Sequence, residues 1–260
     1  MNVRAQFTHP KCRIVLRAFG DSHADIVQIE ALKNVPLKFM DNFKSFSYSA
    51  HGKLMYSIGR DGIELDGLLR NPKQVSIRPW TPFERRRVLF NLLIPGFVIG
   101  KRTNAPPITE KDVFYFVFGE IDARHKLADM MFREKRTNIF EEINNLVDKY
   151  MNAVKKAVSK YPIKTVLIGG LHPQSIETEN TNGWSPITGS YERRSVHTLL
   201  INRKLKNISK KLGYHFIDFT EGYSLPDGSL NMTLSDGNHH LIIWPEDTKY
   251  ELAELVIAHL

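Results

Sequence analysis

Ser22, Asp236 and His239 are the residues whose types and spacing could do nucleophilic chemistry. Ser22 lies in Phe19-Gly20-Asp21-Ser22-His23, where an apolar run of strand type, Ile14 to Phe19, breaks into a polar knot. Apolar residues then resume at helical spacing with Ile26, Ile29 and Leu32. A serine hydroxyl is a weak nucleophile until a base removes its proton, so the knot needs a histidine held by an acid. Leu234-Ser235-Asp236-Gly237-Asn238-His239-His240 supplies such a pair, with the carboxylate three residues ahead of the first imidazole. An imidazole held through one nitrogen presents the other as base, and only when neutral. Taken alone, Asp236-Gly237 also reads as a turn and His239-His240 as a surface pair. Considered together with the serine knot, the segment reads as catalytic.

The elements that must position these groups alternate along the chain. Strand-like runs at Ile14 to Phe19, Val113 to Phe118, Thr165 to Ile168 and Tyr214 to Phe219 are separated by amphipathic helical patterns, the signature of a parallel sheet covered by helices. Asn138 is placed to cap a helix with Glu141 at the capping-box position, and Ile143, Leu146, Tyr150, Val154 and Val158 form its apolar stripe. Pro162 ends it. The spacing predicts another helix from about Tyr191 to Leu212, with Val196, Leu199, Leu200, Leu205, Ile208 and Leu212 inward and Gly213 as its stop. A last helix is expected from Pro245. The proline-rich stretch 66–111 reads as a helix, over the apolar patch Val88 to Ile99, flanked by loops, and 172–190 reads as one long loop. In open parallel sheets ligands sit beyond the carboxyl ends of the strands, and Ser22 falls at such an end.

Composition bounds the function. With 260 residues, 42% of them hydrophobic, the chain can build a large core, and one α/β domain over 1–260 is the economical reading. The single cysteine, Cys12, forms no internal disulfide, no Cys/His spacing matches a zinc site, and no run nears the roughly 18 apolar residues of a membrane span. A cytoplasmic protein without a membrane partner, metal or cofactor is expected. The formal charge of +8 favours anionic ligands. Arg85-Arg86-Arg87 and the Arg133-Lys135-Arg136 cluster read as solvated faces, because no nucleic-acid-binding signature accompanies them.

Gly20-Asp21-Ser22 at the end of the first strand, with Asp236-x-x-His239 near the C-terminus, resembles the SGNH (GDSL-like) hydrolase superfamily over nearly the whole chain. The resemblance implies a three-layer α/β/α flavodoxin-like fold and esterase, deacylase or acyltransferase chemistry. It implies Ser22 as nucleophile, His239 as general base and Asp236 as its orienter, with His240 beside them as a substrate contact. The family's glycine after the second strand matches Gly52 in His51-Gly52-Lys53, with Gly59 as a rival. Its Gly-x-Asn-Asp block matches Gly119-Glu120-Ile121-Asp122, with Ile121 in the asparagine position. Isoleucine donates no hydrogen bond, and one missing oxyanion donor typically removes about 3 kcal/mol of transition-state stabilisation. The Gly-Glu-Ile-Asp-x-Arg form is similar to that of an uncharacterised SGNH-like branch, and there Arg124, fixed by Glu120 or Asp122, could supply the missing polar anchor. In an extended run residues 120, 122 and 124 share one face. A helical run would instead direct Arg124 to Glu120 alone.

The sequence thus predicts a serine esterase or acyl transferase acting on an O-acyl group, with a small-molecule or glycan ester as substrate, anionic groups being favoured. A non-catalytic SGNH-like protein that binds a glycan or a partner is the alternative, and Ile121 is the feature that favours it. Asp21-x-His23 and Gly237-Asn238-His239 are also fragments of a dinuclear metallophosphoesterase pattern. That pattern lacks its remaining ligands here: Glu120 and Asp122 are too closely spaced, and no second His-rich motif follows His240. The phosphate-loop, dinucleotide, zincin and Gly-x-Ser-x-Gly motifs are absent. His172-Pro173, after Gly169-Gly170, stands at another strand end and is a weaker candidate for lining a cleft.

Overall fold

The protein was analysed as a computed structural model that describes residues 14–20, 43–49, 54–69, 73–77, 97–99, 106–176 and 187–234. Five strands run parallel: β1 (Ile14–Gly20), β2 (Phe43–Ser49), β5 (Val113–Val117), β6 (Thr165–Gly169) and β7 (His215–Ile217). Two more, β3 (Lys73–Ile77) and β4 (Phe97–Ile99), extend the β2 side antiparallel, giving the order β4-β3-β2-β1-β5-β6-β7. Counted among the parallel strands alone, the order is 2-1-3-4-5, that of a doubly wound flavodoxin-like sheet.

Side chains alternate across a strand, so each strand shows which faces are covered. Val15 and Phe19 of β1 and Phe114 and Phe116 of β5 enter the main apolar core, whereas Leu16, Ala18, Val113 and Tyr115 point the other way. All of these are buried. A parallel sheet buried on both faces is the middle layer of an α/β/α sandwich. On the Phe19 face lie α1 (Met55–Asp61), α4 (Ile139–Val158) and α5 (Tyr191–Leu212), while the shorter α2 (Leu65–Leu69), α3 (Leu127–Arg133) and α6 (Thr220–Tyr223) complete the described helices. Phe19 stacks on Tyr48 of β2 and Phe116 of β5, with ring centroids 4.8 and 5.1 Å apart.

Arg17 is the unexpected group in this core. Its Nε donates to Asp112 at 2.7 Å, Nη1 to the Tyr48 hydroxyl at 2.9 Å and Nη2 to the Pro106 carbonyl at 2.7 Å. A charge so enclosed is tolerated only when its donors are matched, and here it ties β1 to β2 and to the residues entering β5.

The helix expectations hold at their caps. Asn138 accepts the Glu141 N–H at 3.2 Å, and Ser190 accepts that of Arg193 at 3.4 Å. Gly213 ends α5 with φ of 71°, the left-handed cap for which glycine is suited. Two expectations need correction. Of the stripe expected to face inward on α5, Leu205 is buried and Leu200, Ile208 and Leu212 pack against the core, but Val196 and Leu199 are 47% and 63% exposed. The buried side chains are Arg194, His197, Thr198, Ile201, Asn202, Leu205 and Ser209. The helix has turned a partly polar face inward because the irregular segments after β5 and β6 offer backbone groups that need partners. Likewise Phe97–Ile99, placed by pattern at the end of a helix, is a strand. Short apolar runs are ambiguous in period, and only antiparallel pairing with β3 decides this one. The expected helices after Ser22 and from Pro245 lie outside the described residues.

Among the described residues no helix is long and apolar enough to cross a membrane.

Candidate active site

Gly20, the last residue of β1, is in register with Ser49 of β2 and Val117 of β5. The three strands therefore end side by side at one edge. Ser22 is two residues beyond Gly20, Gly52 three beyond Ser49, and Gly119 two beyond Val117. In this strand order β1 and β5 flank the point where connections leave for opposite faces, and that crevice is where doubly wound sheets bind ligands. Ser22, Gly52, Asp236, His239 and His240 themselves lie outside the described residues. Gly59 does not: it sits inside α1, where a Cβ would come within 2.9 Å of the Lys149 Cβ, so it serves helix packing.

The third block is fully described. Gly119 has φ of 115°, and a Cβ there would meet the Met55 methyl at 2.6 Å and Leu171 at 3.3 Å, so only glycine fits the turn. From that residue the chain is helical: the Ala123 N–H donates to the Gly119 carbonyl at 3.0 Å, and a π-helical turn spans Asp122–Lys126 before α3. Single π-turns of this kind are frequent at functional sites. Helical geometry separates the two acids that the sequence offered to Arg124. Glu120, one turn earlier, takes the guanidinium through Nε–Oε1 at 2.6 Å and Nη2–Oε2 at 3.2 Å, and both residues are buried. Such a two-point contact fixes the plane of the guanidinium as well as its position.

Asp122 faces another way. Its Oδ2 accepts the Met55 N–H at 2.7 Å and its Oδ1 the Tyr56 N–H at 3.1 Å, with the carboxylate wholly enclosed. Those are first-turn donors of α1, whose own N-cap residue, Leu54, has no side chain able to accept them. The third block thus holds the segment that follows β2, and Gly52 precedes this anchorage by three residues.

A layer of polar side chains from α5 supports the same edge. Arg194 donates from Nη1 to the Gly189 carbonyl at 2.6 Å and from Nη2 to that of Ser175 at 2.7 Å. Burial, and then the nearby Arg124, lowers its pKa from the usual arginine value. His197 is buried beneath the third block, its Nδ1 donating to the Ala123 carbonyl at 3.3 Å, and burial lowers its pKa. Asn202 brackets Leu171, accepting its N–H at 2.7 Å and donating to its carbonyl at 2.6 Å. His172 is buried at this edge with its Nδ1 3.0 Å from the Pro173 carbonyl. Beside Arg124, His125 meets the Thr188 hydroxyl at 2.6 Å, and the Thr188 N–H donates to the Arg124 carbonyl. Sequence reading overlooked Arg194, His197 and Asn202. Their signal was the i, i+4, i+8 spacing of Arg194, Thr198 and Asn202, which resembles an ordinary solvent face.

Among the described residues no group of three or more His, Cys, Asp or Glu is placed to hold a metal ion.

No family model and no curated protein matches the chain. Among solved structures it is similar to LAE5, an α/β hydrolase from the metagenome of Lake Arreo, at 10% identity over 96% of this chain and 94% of that one, with a TM-score of 0.48. It is similar to Axe2, an acetylxylan esterase from Geobacillus stearothermophilus, at 11% identity over 95% and 93%, with a TM-score of 0.46. A GDSL-like lipase from Bacteroides thetaiotaomicron matches at 13% identity over 95% and 86%, with a TM-score of 0.39. These are likenesses of architecture. The assignment of this fold rests on the strand order and register given above.

Proposed function

We propose that the protein is a serine esterase of the SGNH type, with Ser22 as nucleophile, His239 as general base and Asp236 as the carboxylate that orients it. The observation that supports the reading is the register of Gly20 with Ser49 and Val117, which ends three neighbouring parallel strands level with one another, two or three residues before Ser22, Gly52 and Gly119 in the sequence. Neutral His239 takes the Ser22 proton as the hydroxyl oxygen attacks the ester carbonyl. The carbonyl π electrons move to oxygen, and backbone N–H groups of Ser22 and Gly52 meet that charge. Collapse of the tetrahedral intermediate expels the alcohol, which receives the proton from His239, and leaves an acyl-serine. Water completes hydrolysis, and an acceptor hydroxyl in its place gives acyl transfer.

Ile121 presents no donor where the asparagine of the resembling family stands. Arg124 has its charge compensated by Glu120 and is preferred here as a polar anchor held in a fixed plane, while the formal charge of +8 over the whole chain favours an ester that carries an anionic or strongly polar group. An O-acylated carbohydrate is our preferred substrate class, and the cytoplasm our preferred location. A non-catalytic glycan-binding or partner-binding role is the second reading, favoured by Ile121 alone.

Incubation with a fluorophosphonate probe and with p-nitrophenyl acetate tests the proposal. Covalent labelling at Ser22, lost in Ser22→Ala together with ester turnover, is the expected result. A folded wild-type protein that neither labels nor turns over the ester would support the binding role.

A further inference from the structure

A groove of about 370 Å³ opens between α1, α4 and the chain from Asp122 to α3. It follows from helical spacing. Tyr56, Gly59 and Arg60 share one face of α1, and Glu142, Leu146 and Lys149 share one face of α4. Gly59 lets the two helices approach until a Cβ would be 2.9 Å from that of Lys149. Charged side chains rim the groove: Arg60, Lys126, Arg136 and Lys149 against Glu142 and Asp122.

The carboxylates are already committed. Asp122 is buried and takes the Met55 and Tyr56 N–H groups, and Glu142 is bonded by Arg136 at 2.8 Å. Arg60 pairs with Asp61, and Lys126 approaches Asp129 only at 4.0 Å. Lys149 has no carboxylate within ion-pair distance among the described residues. The Tyr56 ring holds two of the cations beside the opening, with the Lys126 Nζ 5.1 Å and the Arg60 Cζ 5.9 Å from its centroid. Arg60 and Arg136 are thus compensated by their own carboxylates, Asp129 is taken at 2.6 Å by Arg133, and Lys126 and Lys149 are the two cations that face a space of ligand size. A bound polyanion would supply the countercharge that these two lysines lack.

We infer that this groove is a binding site for a small phosphorylated molecule, a phosphate monoester or diphosphate carrying at least two negative charges. Lys126 and Lys149 supply the ionic contacts, with Arg60 at the rim. Lysines recognise phosphate as point charges. The inference does not rest on the serine chemistry, and it is read by binding alone.

Titration of ¹⁵N-labelled protein with inorganic pyrophosphate, glucose 6-phosphate and glucose, followed by amide shifts at Tyr56, Gly59, Asn145 and Lys149, tests it. Saturable shifts are expected with both phosphates and none with glucose. If only pyrophosphate binds, the ligand is a diphosphate and not a sugar monoester. Removing two charge-assisted contacts should weaken affinity at least about tenfold in the Lys126→Ala/Lys149→Ala double variant, while Lys126→Arg/Lys149→Arg retains it. Added salt should weaken binding by screening. Absence of saturable shifts in the wild type, or undiminished affinity in a folded alanine double variant, would overturn the site.

Discussion

The Asp122 carboxylate caps α1 from 67 residues away, accepting the Met55 N–H at 2.7 Å. The turn after β5 thereby determines where the chain after β2 begins its helix. Asp122→Ala would strand two enclosed N–H groups, and each charged cap of this kind is worth about 1–3 kcal/mol. We expect Asp122→Ala to lower the urea midpoint, by roughly 2–3 kcal/mol at unchanged m-value, with Asp122→Asn recovering part of the loss. An unshifted midpoint for Asp122→Ala would refute the capping role.

Glu120 and Arg124 should behave as one unit. Removing one partner of a buried pair leaves the other charge uncompensated, at a cost of about 3–5 kcal/mol. Glu120→Gln and Arg124→Met are each expected to destabilise strongly. The double variant should lose less than the sum, with a coupling of about 1–3 kcal/mol in a double-mutant cycle. Additive losses would mean that the two side chains act independently.

Kinetics separate structural from electrostatic roles for Arg124. The Arg124→Lys variant keeps the charge but not the planar two-point contact with Glu120. A fall mainly in kcat on p-nitrophenyl acetate is expected if the guanidinium supports the transition state. A rise in KM alone would assign it to substrate binding, and unchanged parameters would leave it a structural ion pair.

Acid should weaken the fold through His197 and His125, whose pKa values burial lowers. Above the ordinary histidine value of about 6.5 both folded and unfolded chains hold neutral rings, and these groups contribute no pH dependence. As pH falls below that value the unfolded chain takes protons that the native sites refuse, so stability declines until the lowered native pKa values are reached. Denaturation series at pH 7.5 and 5.5 should show this loss, and His197→Gln should show a smaller one. An identical pH slope in the variant would remove His197 from the cause.

Proton transfer gives the opposite pH signature for turnover. Only neutral His239 can accept the Ser22 proton, so kcat/KM should rise with pH through the titration of His239. His239→Ala should abolish both the turnover and its pH dependence. A flat profile in the wild type would point to another base.

The sequence by itself determined the elements and the identities at their ends. Four of the five parallel strands, the Asn138 cap, the helix from about Tyr191 and the Gly213 stop were legible because apolar period, capping and left-handed turns act over a few residues, whereas β2 and the Ser190 cap were not read. The family resemblance, rather than local pattern, picked out Gly119, Glu120, Asp122 and Arg124 as a block beyond a strand. It could not say which acid holds the arginine. That was decided by the helical turn entered after Gly119, at a position where the closeness of Met55 and Leu171 leaves room only for glycine. The tertiary structure also turned Arg194, His197 and Asn202 inward, against the apolar stripe of the helix that carries them. The physical reason is that buried backbone groups at Ser175, Gly189, Ala123 and Leu171 need partners. Most of these partners lie far along the chain, and the helical spacing of the polar residues does not by itself distinguish a buried face from a solvent face.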